Sequence, residues 1–329
     1  MGRGYWATLV PQKPVFVVLF ARDATSCEEV KQAMRTFGSG VFKYQVVDNW
    51  AKRPKCWPFT DVAGVGVDSR DNVYLLTRGP HPVMVFDKDG AFIRSWGEGI
   101  FVRPHLAFIT PDDTIWCTDD VDHTVRKFDT SGNLLMTLGA SGRYSDTGYD
   151  GKDFFSVKRA APPFNKPTKA FVAPSGELFI TDGYGNARVH VFSPDGVLLR
   201  SWGEPGKGPG QFVLPHSVVV DKRGRVYVAD RENQRMQVFD TNGKLITIWP
   251  DVRRPNDMVL VNDQYMFVAE GNTRASVWDL EGHLLAHWGC EEGRSNDAGS
   301  FIAPHCIAVD SRGVLYIGEV CDTGGGYDR

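Results

Sequence analysis

Short apolar runs recur along the chain, and each is closed by a polar turn. The clearest copy begins at Ser217–Val220, turns at Asp221-Lys-Arg-Gly224 and runs on through Val226–Ala229. It crosses a polar loop at Asp230–Arg235, resumes at Met236–Phe239, turns again at Asp240-Thr-Asn-Gly243 and ends in a fourth run at Trp249. Four short strands joined by Gly, Asn and Asp turns make one antiparallel sheet. The same ending stands at Ser95-Trp-Gly97, Ser201-Trp-Gly203 and His287-Trp-Gly289. The beginnings repeat too: Phe101-Val-Arg-Pro-His-Leu-Ala-Phe108, Phe212-Val-Leu-Pro-His-Ser-Val-Val219, Phe301-Ile-Ala-Pro-His-Cys-Ile-Ala308 and, without the histidine, Phe164-Asn-Lys-Pro-Thr-Lys-Ala-Phe171. Weaker copies start near Val62 and at Arg254-Pro-Asn-Asp257. Six units with a period of about 40–45 residues predict an all-β chain, a six-bladed β-propeller.

The last copy is cut short after Glu319. A propeller must close, because an unpaired blade edge is a liability. Tyr44–Trp50 resembles the fourth strand of a repeat and is expected to complete the last blade from the N-terminal side. That divides the chain into an N-terminal extension, residues 1–40, outside the ring, and a propeller at 41–329. Within the extension, Glu28–Arg35 reads as one helical stretch. The apolar run Val15–Ala21 reads as a strand or leader, because no small-residue cleavage site follows it. Met34 is an alternative start.

Composition narrows the function. Apolar residues at 42% exclude a disordered chain, and no run approaches the roughly 18 apolar residues of a membrane helix. A net charge of −3 argues against a nucleic-acid footprint. The six cysteines show no CxxC spacing, so they do not read as a zinc ribbon. They are expected to be free thiols in a reducing, cytoplasmic setting, in a monomer that contacts neither nucleic acid nor membrane.

The Pro-His pairs carry the candidate chemistry. The first strand of a blade lines the central channel, and the pairs sit at its start in alternate units, with Thr168 and Asn256 at the matching places between them. Alternate units of a six-fold ring lie about 120° apart, so His105, His216 and His305 are expected to converge on the axis at one depth. Three imidazoles at one point suit a tetrahedral zinc site with an open position, though iron, cobalt and copper also accept imidazole. His81, His123, His190, His283 and His287 lack this symmetry and are expected to be structural. The loops between second and third strands open on the same face, which places Arg78, Tyr184 and Arg231 around the ion. A tyrosine beside a divalent cation and an arginine loses its proton more easily and can act as a base, and an arginine can grip a carboxylate with two prongs. Asp230 and Asn233 are expected to serve turn chemistry.

These repeats resemble NHL repeats. The set Leu76-Thr-Arg-Gly79, Arg103-Pro-His-Leu106, Thr181-Asp-Gly-Tyr-Gly-Asn186, Leu214-Pro-His-Ser217, Ala229-Asp-Arg-Glu-Asn233 and Ala303-Pro-His305 is similar to the core of the peptidyl-α-hydroxyglycine α-amidating lyase family, over about residues 42–320. The resemblance implies that His105, His216 and His305 hold a catalytic zinc, that Tyr184 is the general base, that Arg78 binds substrate and that Arg231 completes the pocket. It implies cleavage of an N-acyl- or peptidyl-α-hydroxyglycine, a carbinolamide, to an amide and glyoxylate. It also implies a structural calcium held by the backbone carbonyls of Val65 and Ala107. Cys306, however, stands at the family's aspartate position and is a poor calcium ligand, which argues against that ion. Gly185 replaces a cysteine that secreted animal members carry after the tyrosine, so that disulfide is absent. The physiological substrate is expected to be a small N-acyl-hydroxyglycine or another carbinolamide. The alternatives are a propeller that binds a partner without chemistry and a zinc-dependent hydrolase on the same scaffold.

Overall fold

The computed structural model describes residues 15–20, 36–57, 59–271, 273–290 and 299–323. Five antiparallel four-stranded sheets, or blades, follow one another along the chain. Their innermost strands are Val62–Val67, Pro104–Ile109, Pro167–Val172, Pro215–Val220 and Pro255–Val261. Among the described residues no helix is long and apolar enough to cross a membrane.

The expectation of six blades is corrected here: five sheets have the four-stranded antiparallel form, not six. The arc between the fifth blade and the first is filled by a five-stranded mixed sheet. Its inner strand, Pro304–Val309, pairs antiparallel with Leu315–Glu319. Next comes Val15–Phe20, parallel to Leu315–Glu319, then Phe42–Val46, parallel to Val15–Phe20, and at the rim Thr36–Ser39. Only a hairpin forces neighbouring strands to run antiparallel, and these outer strands come from the far end of the chain. Residues 15–20 and 36–39 therefore do not lie outside the ring as expected. Phe42–Val46 does take the fourth place from the channel. The helical stretch expected at Glu28–Arg35 falls outside the described residues.

The hairpins are built by aspartates. Asp221 Oδ1 accepts the backbone N–H groups of Arg223 and Arg225 at 2.9 and 2.8 Å, and Asp129 and Asp240 repeat the pattern. Neighbouring sheets bury apolar faces against each other. Between the third and fourth blades this layer includes Phe179, Val189, Phe212, Val228 and Phe239, where each large side chain removed from water contributes about 1.5–3 kcal/mol. Trp96, Trp202 and Trp249, on outer strands, each cover the hairpin glycine of the next blade. Gly243 shows the constraint: its φ is +84°, and a Cβ there would lie 2.6 Å from the Trp202 ring. Gly243→Ala is expected to cost about 1–3 kcal/mol through overpacking, with backbone strain added. Chemical denaturation checks this, and an unchanged midpoint contradicts it. Trp50 covers Gly90 of the first blade in the same way, which carries the packing from the closing sheet to the first blade.

Candidate active site

Every inner strand carries a register shift at its first turn of pairing. The skipped residues are Ala63, His105 with Leu106, Thr168, His216, Asn256 and His305. A bulge frees one residue from the ladder and re-aims its side chain. Here it turns the three histidines into the channel. Each imidazole is then fixed by the next inner strand: Nδ1 lies 2.7 Å from Thr168 O for His105, 2.6 Å from Asn256 O for His216 and 2.8 Å from Ala63 O for His305. A ring nitrogen facing a carbonyl oxygen must carry the proton, so all three donate from Nδ1 and present a bare Nε2 to the axis. The three ligand nitrogens lie within 4.8 Å of one another.

One hydroxyl meets two of these three lone pairs. Tyr184 Oη lies 3.1 Å from Nε2 of both His105 and His216, and it can donate its single proton to only one of them. His305 Nε2 is buried and has no hydrogen-bond partner among the described residues. Three converging acceptors with one donor among them form a set that could hold a metal ion. All three imidazoles are held well below their usual pKa near 6.5, with burial the largest cause. His105 is lowered further by His216 and His305, His216 by Arg231, and His305 by Arg78. Neutral imidazole is the ligating form.

The expected arginines flank the histidines. Arg231 Nη1 donates to Tyr184 Oη at 3.3 Å, and its guanidinium lies 5.3 Å over the tyrosine ring. Arg78 Nη1 pairs with Asp61 at 3.2 Å, and Nε donates to Pro104 O at 3.4 Å. Burial, then the nearby Arg103, lowers the pKa of Arg78. Asp61 is held by the backbone N–H of Asp322 and Thr323 at 2.8 and 3.2 Å, and Thr323 also bonds Arg78 directly. A cavity of about 310 Å³ opens above the centre, lined by Arg78, Tyr184, Arg231 and His305.

That cavity has walls the sequence reading missed. Arg103, Lys166 and Arg254 line it, as do Tyr149 and Phe154 from the long connection between the second and third blades. Phe154 packs 5.4 Å from the Tyr184 ring. Thr147 of the same connection donates to Gly185 O at 2.6 Å. Gly185 has no room for a side chain, since a Cβ would lie 2.3 Å from Asn165 Oδ1. A signal for the three cations was present: each immediately precedes the proline that opens an inner strand. Asp230 and Asn233 are structural as expected. Asp230 accepts from Val213 N at 2.9 Å and from Asn233 and Arg235 at 2.8 Å. Asp119, Asp182, Glu270 and Glu319 clamp four of the other five inner-strand entrances in the same way.

Comparison with known proteins follows this geometry. The NHL repeat matches residues 212–239. The chain is 34% identical over 280 residues to NHL repeat-containing protein 3 of Mus musculus, covering 78% of this chain and 76% of that protein. The chain belongs to the NHL-repeat family. Its relatives include peptidyl-α-hydroxyglycine α-amidating lyase 2 of Drosophila melanogaster, 30% identical over 271 residues, or 75% of this chain and 60% of the lyase. Virginiamycin B lyase from Staphylococcus aureus shares the fold at a TM-score of 0.54 and 15% identity, covering 79% of this chain and 78% of that one.

In this NHL-repeat propeller the channel below the histidines does not fit calcium. Asp257, a carboxylate there, already pairs with the Lys169 ammonium and accepts from Ser217 Oγ at 2.9 Å and Ile307 N at 3.1 Å. Lys169 also donates to Met258 O at 3.1 Å. Burial pushes the Cys306 thiol well up, and its Sγ faces Val62 O at 3.5 Å. Val65 and Ala107 line a larger cavity of about 750 Å³ at the other mouth, walled by Phe171, Met258 and Ile307. Among the described residues, the three histidines are the only cluster that could hold a metal. Cys56, Cys117, Cys290 and Cys306 form no disulfide.

Proposed function

We propose that this chain is a metal-dependent carbon–nitrogen lyase, with zinc as the ion, that splits an N-acyl- or peptidyl-α-hydroxyglycine into an amide and glyoxylate. The observation that carries this reading is the convergence of three Nε2 lone pairs, two of them on the Tyr184 hydroxyl, beside Arg78 and Arg231. The relationship to named lyases supports it. His105, His216 and His305 would hold a divalent ion, and the chemistry it would supply is Lewis acidity toward the carbinol hydroxyl. Tyr184, whose oxygen accepts the Arg231 N–H, is the base that takes the hydroxyl proton. The C–O bond gains double-bond character, the C–N bond breaks, and its electron pair leaves on nitrogen. Tyr184 or a water returns the proton to that nitrogen, which completes the amide. Arg78, braced by Asp61, grips the substrate carboxylate. Phe154 covers Tyr184 and keeps bulk water from the phenol.

The test is glyoxylate release from α-hydroxyhippuric acid. Turnover is expected from purified protein, is expected to fall to background with a chelator and to return on adding zinc. Release that ignores the chelator contradicts the reading. A second reading, a propeller that binds a partner without chemistry, is favoured by the extent of likeness to NHL repeat-containing protein 3, whose name states no activity. Metal analysis separates the two, since one tightly held ion per chain is expected only of the enzyme.

A further inference from the structure

The charges around the cavity do not balance. Five cations line it: Arg78, Arg103, Lys166, Arg231 and Arg254. Among the described residues three carboxylates bond to them, and the cations fall into two groups. In the first, Arg78 holds Asp61 at 3.2 Å and Arg103 holds Asp120 at 2.8 Å, while Lys166 makes no ion pair among the described residues. In the second, Arg231 and Arg254 share one oxygen of Glu232, each at 2.9 Å. Each group therefore keeps one positive charge in excess. Arg103 and Arg231, one from each group, both lie over the Tyr184 ring, at 6.0 and 5.3 Å. Both groups thus reach the same tyrosine.

Unbalanced charge in a half-enclosed site is costly until a counter-ion arrives, and guanidinium groups bind carboxylates with directed, charge-assisted hydrogen bonds. The carboxylate of an α-hydroxyglycine satisfies one group only. We propose that the cavity is a site for a dianion, and that the preferred substrates are N-acyl-α-hydroxyglycines whose acyl arm carries a second anionic group. The glycine carboxylate lies on the Arg78, Arg103 and Lys166 side, and the acyl anion on the Arg231 and Arg254 side. This rests on the lyase reading for its chemistry, but the charge count stands without it. The small volume, about 310 Å³, matches a short dicarboxylate rather than a long peptide. Arg254 is the specificity residue: without it, Arg231 and Glu232 neutralise each other and the second excess is gone.

Two measurements test this together. The first is kcat/KM for glyoxylate release from N-succinyl-α-hydroxyglycine against its neutral isostere, the succinamoyl compound. The second is calorimetric titration of the same protein with glutarate and with butyrate. The succinyl compound is expected to be favoured by about tenfold or more, the gain of one charge-assisted contact, and glutarate is expected to bind more tightly than butyrate. Arg254→Gln is expected to bring the substrate ratio near one, and Arg254→Lys to retain most of it. Equal kcat/KM with equal binding overturns the dianion site and leaves the lyase intact. Glutarate selectivity without glyoxylate from either compound keeps the dianion site and removes the lyase. Neither selectivity nor release removes both.

Discussion

His216→Ala is expected to lose the metal and fall to background turnover while the propeller stays folded. The imidazole is fully buried and contributes one of three axial nitrogens. Loss of a partner that merely orients a ligand costs about 10–100-fold in metal affinity, and loss of the ligand itself costs more. The substitution also leaves Asn256 O without its donor, at about 1–3 kcal/mol, which a thermal melt registers as a modest shift. Metal analysis after dialysis is the deciding measurement. An alanine variant that keeps one ion per chain removes His216 from the ligand set.

Tyr184→Phe is expected to separate binding from chemistry. The ring keeps its neighbours, since Phe154 and the guanidiniums of Arg103 and Arg231 pack on its carbon frame. Only the hydroxyl between His105 and His216 disappears. Metal content is expected to persist and kcat to fall about 10²–10⁴-fold, the range for a positioned acid–base group. KM is expected to change little, because the phenol acts on a proton and does not grip the carboxylate. Wild-type turnover in this variant assigns the proton transfer to another group.

The repeated Pro-His pairs were the most legible feature of the chain, and the reason is periodicity. A residue that recurs at one place in the repeat must recur at one depth in the ring, so three copies in alternate positions imply convergence without any knowledge of side-chain packing. The same logic applied to the residue just before each proline would have found Arg103, Lys166 and Arg254. The reading stopped at the histidines because an arginine before a proline has no ligand chemistry to announce it. Tyr149 and Phe154 were illegible for a different reason. They belong to no repeat, and only the fold brings the connection between the second and third blades over Tyr184. The closing sheet lay beyond pattern reading for a third reason. Tyr44–Trp50 was recognised as a fourth strand, but nothing in a strand's own sequence says that its partner arrives from residues 15–20 and runs parallel.

The bonds that orient the histidines reach past the chemistry. Each one crosses from one inner strand to the next, and the bond from His305 to Ala63 joins the last inner strand of the chain to the first. Whatever occupies the three nitrogens thereby also tightens three joints of the ring, one of which is the seam between the closing sheet and the first blade. Fraying at that seam and emptying of the hub are then a single linked equilibrium. A ligand at the axis behaves as a clasp on the whole circle, and slow exchange of the amides along Val62–Val67 and Pro304–Val309 is the signature of a clasp that is shut.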